Sequence, residues 1–131
     1  MYLIDTDILS YAVRGDPDVL AHFEAAGDRP CFLSAVTLYE IVFGIRRSPR
    51  REQLGAALAA ARDGFSVLAI TEPIAEEAAM IRAELESRGR VIGPIDPLIA
   101  ATARIHELML VTHNTKHFQT IGGLAVEDWK E

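Results

Sequence analysis

The chain is 131 residues long, half of them hydrophobic and 24% charged. That balance describes one packed domain able to bury roughly two-thirds of its unfolded surface, and it excludes a disordered or two-domain chain. The 19 acids against 13 bases leave a net charge of −6, which argues against holding nucleic acid by bulk charge, and the single cysteine, Cys31, excludes an internal disulfide and fits a reducing cytoplasm.

Tyr2-Leu3-Ile4 is a short apolar run that predicts a buried strand, and Asp5-Thr6-Asp7 behind it marks a helix start. Ile8, Leu9, Ala12 and Val13 carry that helix. Gly15-Asp16-Pro17 interrupts it, and Pro17 opens a second helix that stops at Gly27. Pro30 to Leu33 predicts a second strand, with Cys31 as a small packed residue. Ser34 to Ile45 predicts a helix, and the Ala- and Leu-rich stretch from Arg50 to Arg62 another, closed by Gly64. Phe65 to Ile70 predicts a third strand. Thr71-Glu72-Pro73 opens a helix running to Gly89, and Ile95-Asp96-Pro97 opens the next. Leu108 to Thr112 is a fourth strand. A polar loop follows, then Leu124-Ala125-Val126 as a short last strand, against which Trp129 packs. Strands alternating with helices predict an α/β domain with a parallel sheet flanked by helices. No stretch approaches the roughly 20 apolar residues a membrane helix needs, and the N-terminus lacks the pattern of a signal peptide.

In an open parallel sheet, ligands bind beyond the carboxyl ends of the strands. Asp5 ends the first strand, Asp96 opens a helix, and Thr112-His113-Asn114 follows the fourth strand. Glu40 lies inside a helix beside apolar Tyr39, Ile41 and Val42. Each acid has a plain structural role open to it: Asp5 and Asp96 as helix caps, Glu40 as a solvent-facing residue. Their convergence points further. Gathered carboxylates repel one another, and a divalent cation relieves that conflict. Carboxylate oxygens suit Mg²⁺ or Mn²⁺, whose chemistry includes phosphodiester hydrolysis.

Five segments in order carry a family resemblance: Leu3-Ile4-Asp5-Thr6-Asp7, Ser34 to Gly44 around Glu40, Ile92-Gly93-Pro94-Ile95-Asp96-Pro97, Leu110 to Phe118 around Asn114, and Gly122 to Trp129. Together they resemble a PIN-domain ribonuclease of the VapC toxin type over nearly the whole chain. The resemblance implies one domain over residues 1–131 and a three-layer α/β fold with a central parallel sheet of about four to five strands. It implies a Mg²⁺-dependent endoribonuclease, with Mn²⁺ as a substitute, acting on RNA that includes tRNA as a substrate class. It further implies a homodimer and a VapB-type antitoxin partner, in the cytoplasm. Asp5, Glu40 and Asp96 match the principal acidic positions as catalytic residues and metal ligands, Glu40 directly or through water. Asn114 stands where many PIN domains carry Asp, which leaves it a weak or water-mediated ligand. Thr6 and Thr112 match the hydroxyl positions flanking the acids. Asp7 is a supporting residue, either capping the first helix or bonding near the site.

Other readings share some of these residues. A haloacid-dehalogenase-like phosphatase shares the Asp5-x-Asp7 pair, but Leu9 stands where it wants Thr or Val, and no late acidic pair is present. A binding module with a decayed pocket is opposed by the intact acids. His113 and His117 lack the flanking Glu of a zinc protease and are expected in loop and capping roles. Arg46, Arg47, Arg50 and Arg51, four Arg in six residues, suit either a solvated helix end or phosphate contacts with RNA, to which Arg14 and Lys116 could add. An apolar groove between the early helices is the expected antitoxin seat.

Overall fold

A computed structural model describes residues 1–130. The chain runs β1 (Tyr2–Ile4), α1 (Thr6–Val13), α2 (Pro17–Ala26), β2 (Cys31–Ser34), α3 (Ala35–Arg47), α4 (Arg51–Ala61), a 3₁₀ turn (Arg62–Gly64), β3 (Phe65–Leu68), α5 (Glu72–Ser87), α6 (Asp96–Ile105), β4 (Met109–Val111), α7 (Thr115–Phe118) and β5 (Val126–Glu127). The strands form one parallel sheet in the order β3-β2-β1-β4-β5. The predicted α/β class and parallel sheet are both present.

The central strands β1 and β4 bury both faces, so their side chains divide by parity. Leu3 and Leu110 point into one hydrophobic layer, where they meet Ile74, Ile81 and Leu85 of α5 and Ile99 of α6. Tyr2, Ile4, Leu33 and Val111 point into the other, against Ile8 and Leu9 of α1, Val19 of α2, Ile41 and Ile45 of α3, and Leu54 and Leu58 of α4. The result is three layers, helix on sheet on helix.

Strand order sets the location of the site. After β1 the chain moves outward through β2 to β3 on one side, then α5 and α6 carry it back across to β4, on the other side of β1. The strand order therefore reverses between β1 and β4, which opens a crevice beyond their carboxyl ends. Asp5 follows β1 there, and Thr112 follows β4.

Several boundaries differ from the sequence reading. β2 is shifted by one residue, because Ser34 pairs with Leu68 before its side chain caps α3. β3 stops at Leu68, where pairing with β2 ends. The last strand is Val126–Glu127, not 124–126: its register is fixed by pairing with Leu110 and Val111. The polar loop after β4 contains α7, a single helical turn anchored by buried Phe118. Trp129 lies just beyond the last strand, donates from its Nε1 to Glu127 Oε1 of that strand at 3.0 Å, and packs into the core. It is 1% exposed, edge-on to Tyr2 and Phe23 and stacked on His22.

Candidate active site

Three helices bring acids to the crevice: Asp5 and Asp7 at the start of α1, Glu40 from α3 and Asp96 from α6. Asp5 is the N-cap of α1, and its Oδ1 accepts from the Thr6 N–H at 2.8 Å. Its Oδ2 accepts from the Thr112 hydroxyl, also at 2.8 Å, across the β1–β4 junction. Asp5 is 7% exposed and Thr112 fully buried. One oxygen of the carboxylate thus caps the helix, and the other joins it to the end of β4.

Glu40 does not face solvent. It is half-buried, and its Oε1 accepts from the Thr6 hydroxyl at 2.6 Å. Thr6 thereby links the first two acids: its amide binds Asp5, its hydroxyl Glu40. Asp96 does not cap α6 either. The N-cap position is Ile95, and Asp96 Oδ2 lies 2.8 Å from Nδ1 of His117. Asp7 is in the first turn of α1, where Oδ1 accepts from the Ile8 N–H and Oδ2 from the His113 N–H. That second bond ties α1 to the loop after β4.

Asn114 stands at the N-terminus of α7 and makes no side-chain cap. Its Nδ2 lies 3.1 Å from His117 Nδ1, and its amide donates to the Thr112 hydroxyl. His117 is the residue that sequence reasoning placed wrongly. It stands against Asp96, three residues along α7 from Asn114, and not in a loop. The available signal was the spacing of Asn114 and His117, which puts both on one side of a helical turn. His113, exposed, pairs instead with Asp128 at 2.9 Å.

The electrostatics follow from this crowding. Burial, then the charge of Asp7, pushes the Asp5 carboxyl up from 3.8 to about 7, with Asp96 adding to the rise. Bonds from Thr112 and Thr6 oppose the shift without cancelling it. Asp96 is raised as well, first by burial and then by Glu40 and Asp7, with the neighbouring His117 pulling the other way. Burial also raises Asp7. Among the described residues, no three acidic or histidine side chains close into a compact ligand set. Each acid is turned to its own partner: Asp5 to Thr112, Glu40 to Thr6, Asp96 to His117. The donors are nevertheless all hard oxygens, and the buried charges lack enough local cation to offset them. That combination fits a hard divalent cation and no soft one.

The basic residues divide. Arg14 lines a small groove of about 110 Å³ together with Thr6, Ser10, Glu40, Gly44 and Leu54. Arg46 and Arg47 end α3, with the Arg47 guanidinium 4.8 Å over the Phe43 ring. Arg50 bonds Gln53, and Arg51 opens α4. Among the described residues none of these five arginines pairs with the acid group. Lys116 is exposed on α7, next to His117.

The chain is similar to known proteins over nearly its whole length. A sequence model of the PIN domain matches residues 2–124. A tRNA(fMet)-specific endonuclease VapC of Shigella flexneri is 35% identical over 98% of this chain and 97% of its own length. Ribonuclease VapC2 of Haemophilus influenzae is 33% identical over 98% of this chain and 97% of its own. Among solved structures, VapBC2 from Rickettsia felis bound to a promoter DNA fragment superposes with a TM-score of 0.90 at 28% identity, covering 98% of both chains. VapBC from Salmonella typhimurium bound to DNA superposes with a TM-score of 0.88 at 29% identity, covering 98% of this chain and 97% of the other.

Proposed function

The chain belongs to the PIN domain family, and we propose that its acid crevice cleaves RNA phosphodiesters through Asp5, Glu40 and Asp96. It is a ribonuclease of the VapC type, the toxin component of a toxin–antitoxin pair. The observation that carries the residue assignment is the convergence of these acids from α1, α3 and α6 on the β1–β4 switch point.

PIN nucleases are metal-dependent, and Mg²⁺, with Mn²⁺ as substitute, is the cation this oxygen donor set favours. Asp5 and Asp96 would hold it directly, Glu40 directly or through water, and Asn114 weakly through its amide oxygen. A cation bound there supplies charge neutralisation and Lewis-acid activation of water for attack on phosphorus. The chain's own groups set the geometry. Thr112 and the Thr6 amide fix both oxygens of Asp5, so this carboxylate presents a defined face. The Thr6 hydroxyl orients Glu40, and His117 holds Asp96. Asp7 pins the loop that carries Asn114. Water adds to phosphorus and the bond to the 3′ oxygen breaks. Products therefore carry 5′-phosphate and 3′-hydroxyl ends.

We assign a VapB-type antitoxin as partner. Its seat is the groove between α1, α3 and α4 that runs past Arg14 to Glu40. The outer face of α3, where Tyr39, Val42 and Phe43 are exposed, suits a second copy in a homodimer. No helix among the described residues is long and apolar enough to cross a membrane, and we place the protein in the cytoplasm as one domain over residues 1–131.

The test is cleavage of total RNA, tRNA and matched DNA strands by purified protein with Mg²⁺ or with chelator. Wild type should cut RNA only with the cation, and Asp5→Asn and Asp96→Asn should fall to background while remaining folded. An Asp5→Asn protein that cuts at the wild-type rate overturns the assignment.

A further inference from the structure

A second feature adjoins the acid crevice. Between the end of α5 and α7 lies a cleft of about 250 Å³ whose lining includes Arg90, Val91, Ile92, Lys116, His117 and Thr120. His117 belongs to both places: it lines the cleft and lies 2.8 Å from Asp96. The cleft and the crevice therefore share a wall.

The lining of the cleft combines cations with apolar side chains. Arg90 and Lys116 are exposed, and among the described residues neither joins an ion pair. Arg82 and Arg88 of the same region are paired along α5 with Glu86 and Glu84. Val91, between Arg90 and Ile92, is 85% exposed. An acidic protein thus presents two free cations and a bare aliphatic side chain directly beside its cutting site. Cations attract phosphate, and an apolar surface accepts the face of an unstacked base.

We infer that this cleft seats the nucleotide adjoining the scissile phosphate of a single-stranded RNA segment, with Arg90 and Lys116 on its phosphate and Val91 against its base. This rests on the ribonuclease reading above, and it adds a binding site to it. A duplex could not enter, because its bases are stacked and their faces hidden. The cleft therefore directs cutting to loops and single strands, and it lets an acidic protein grip RNA through local rather than net charge.

The test uses a short fluorescein-labelled single-stranded RNA, with chelator present so that it stays intact, titrated across a salt series. Arg90→Ala and Lys116→Ala should each weaken binding about three- to tenfold and lower the salt slope by about 0.7. Arg62→Ala, in the turn before β3 at the opposite edge of the sheet, should do neither. In cleavage assays the first two variants should raise KM and keep kcat. Val91→Ala should weaken intact RNA about threefold, and should cost nothing further when the adjoining nucleotide is abasic. Wild type that neither binds nor cuts RNA defeats the ribonuclease reading. Wild type that cuts RNA, with Arg90→Ala and Lys116→Ala at unchanged KM, affinity and slope, overturns the cleft alone.

Discussion

Asp5 and Asp16 are the same residue in the same local position. Each is a helix N-cap whose side chain accepts from the first turn: Asp5 from Thr6, Asp16 from Asp18 and Val19. Their carboxyls move in opposite directions. Asp5 is buried among other acids and is pushed up to about 7. At Asp16 desolvation also pushes upward, but the Val19 N–H and the Lys130 ammonium, 3.2 Å away, hold the carboxyl below its usual range. A cap bond alone therefore does not decide the state of an aspartate. What decides it is whether the next neighbour is another acid or a cation, and how much water remains.

The widest gap between the two sites should appear in Asp5→Asn. Cleavage should fall to background, whereas Asp16→Asn should leave it unchanged. Stability should move the other way. The native pKa of Asp5 lies above its unfolded value, so the native state binds the extra proton between about pH 4 and pH 7. Stability of cation-free wild type therefore falls as pH rises through that window, by about 4 kcal/mol at most. The raised Asp7 and Asp96 act in the same sense. Asp5→Asn should flatten this decline and be more stable than wild type at pH 8 in chelator. Mg²⁺ should raise the Tm of wild type at pH 8 and do so much less for the variant. Denaturant melts at pH 4, 6 and 8 check this, and a wild-type curve that rises from pH 4 to pH 7 would refute it.

Asp16→Ala is the counterpart. Its native pKa is lowered, so its contribution is present above about pH 4 and is lost as pH falls through the native value. The variant should lose a few degrees of Tm at neutral pH, as a deleted N-cap does, and the difference should vanish in acid. RNA cleavage should not change. A variant that matches wild type at pH 7 would mean that the cap and the Lys130 pair contribute nothing.

The contrast also shows what the sequence could carry. β1 and the helix start behind it were legible, because Tyr2-Leu3-Ile4 and Asp5-Thr6-Asp7 signal their structure locally. The five segments of the family resemblance marked Asp5, Glu40 and Asp96 individually. Their orientation was not legible. Glu40 sits among apolar neighbours on α3, and only the packing of α1 against that helix brings the Thr6 hydroxyl to it. The contact between His117 and Asp96 spans two elements far apart in the chain, and α7 is too short to show an apolar period. β5 begins two residues later than its apolar run suggests, because its register belongs to β4 and not to its own composition. Arg90 and Val91 are illegible in the sequence for the same reason: a cation and an aliphatic residue in a loop gain meaning only from the cleft that α7 completes.

The smallest effect tests whether the two aspartates are independent. Lys130 reaches Asp16 at 3.2 Å and Asp18 at 3.5 Å, and it lies 5.2 Å from the Tyr11 ring. Such a partly exposed pair contributes little to stability, so Lys130→Ala should move Tm by no more than about a degree or two. Its electrostatic signature should be clearer. Without the ammonium, Asp16 loses one of the groups that hold its carboxyl down, and its titration should move up toward the ordinary value. Asp5 should titrate where it did before, because its neighbours are Asp7, Thr112, Thr6 and Asp96. Carboxyl carbon NMR across pH 2 to 8 resolves both groups in one experiment. If Asp5 moves together with Asp16, the acid crevice feels the charge of the C-terminal segment, and the loss of Lys130 should then also alter cation affinity. If Asp16 alone moves, the crevice takes its raised carboxyl from burial and from its own acids.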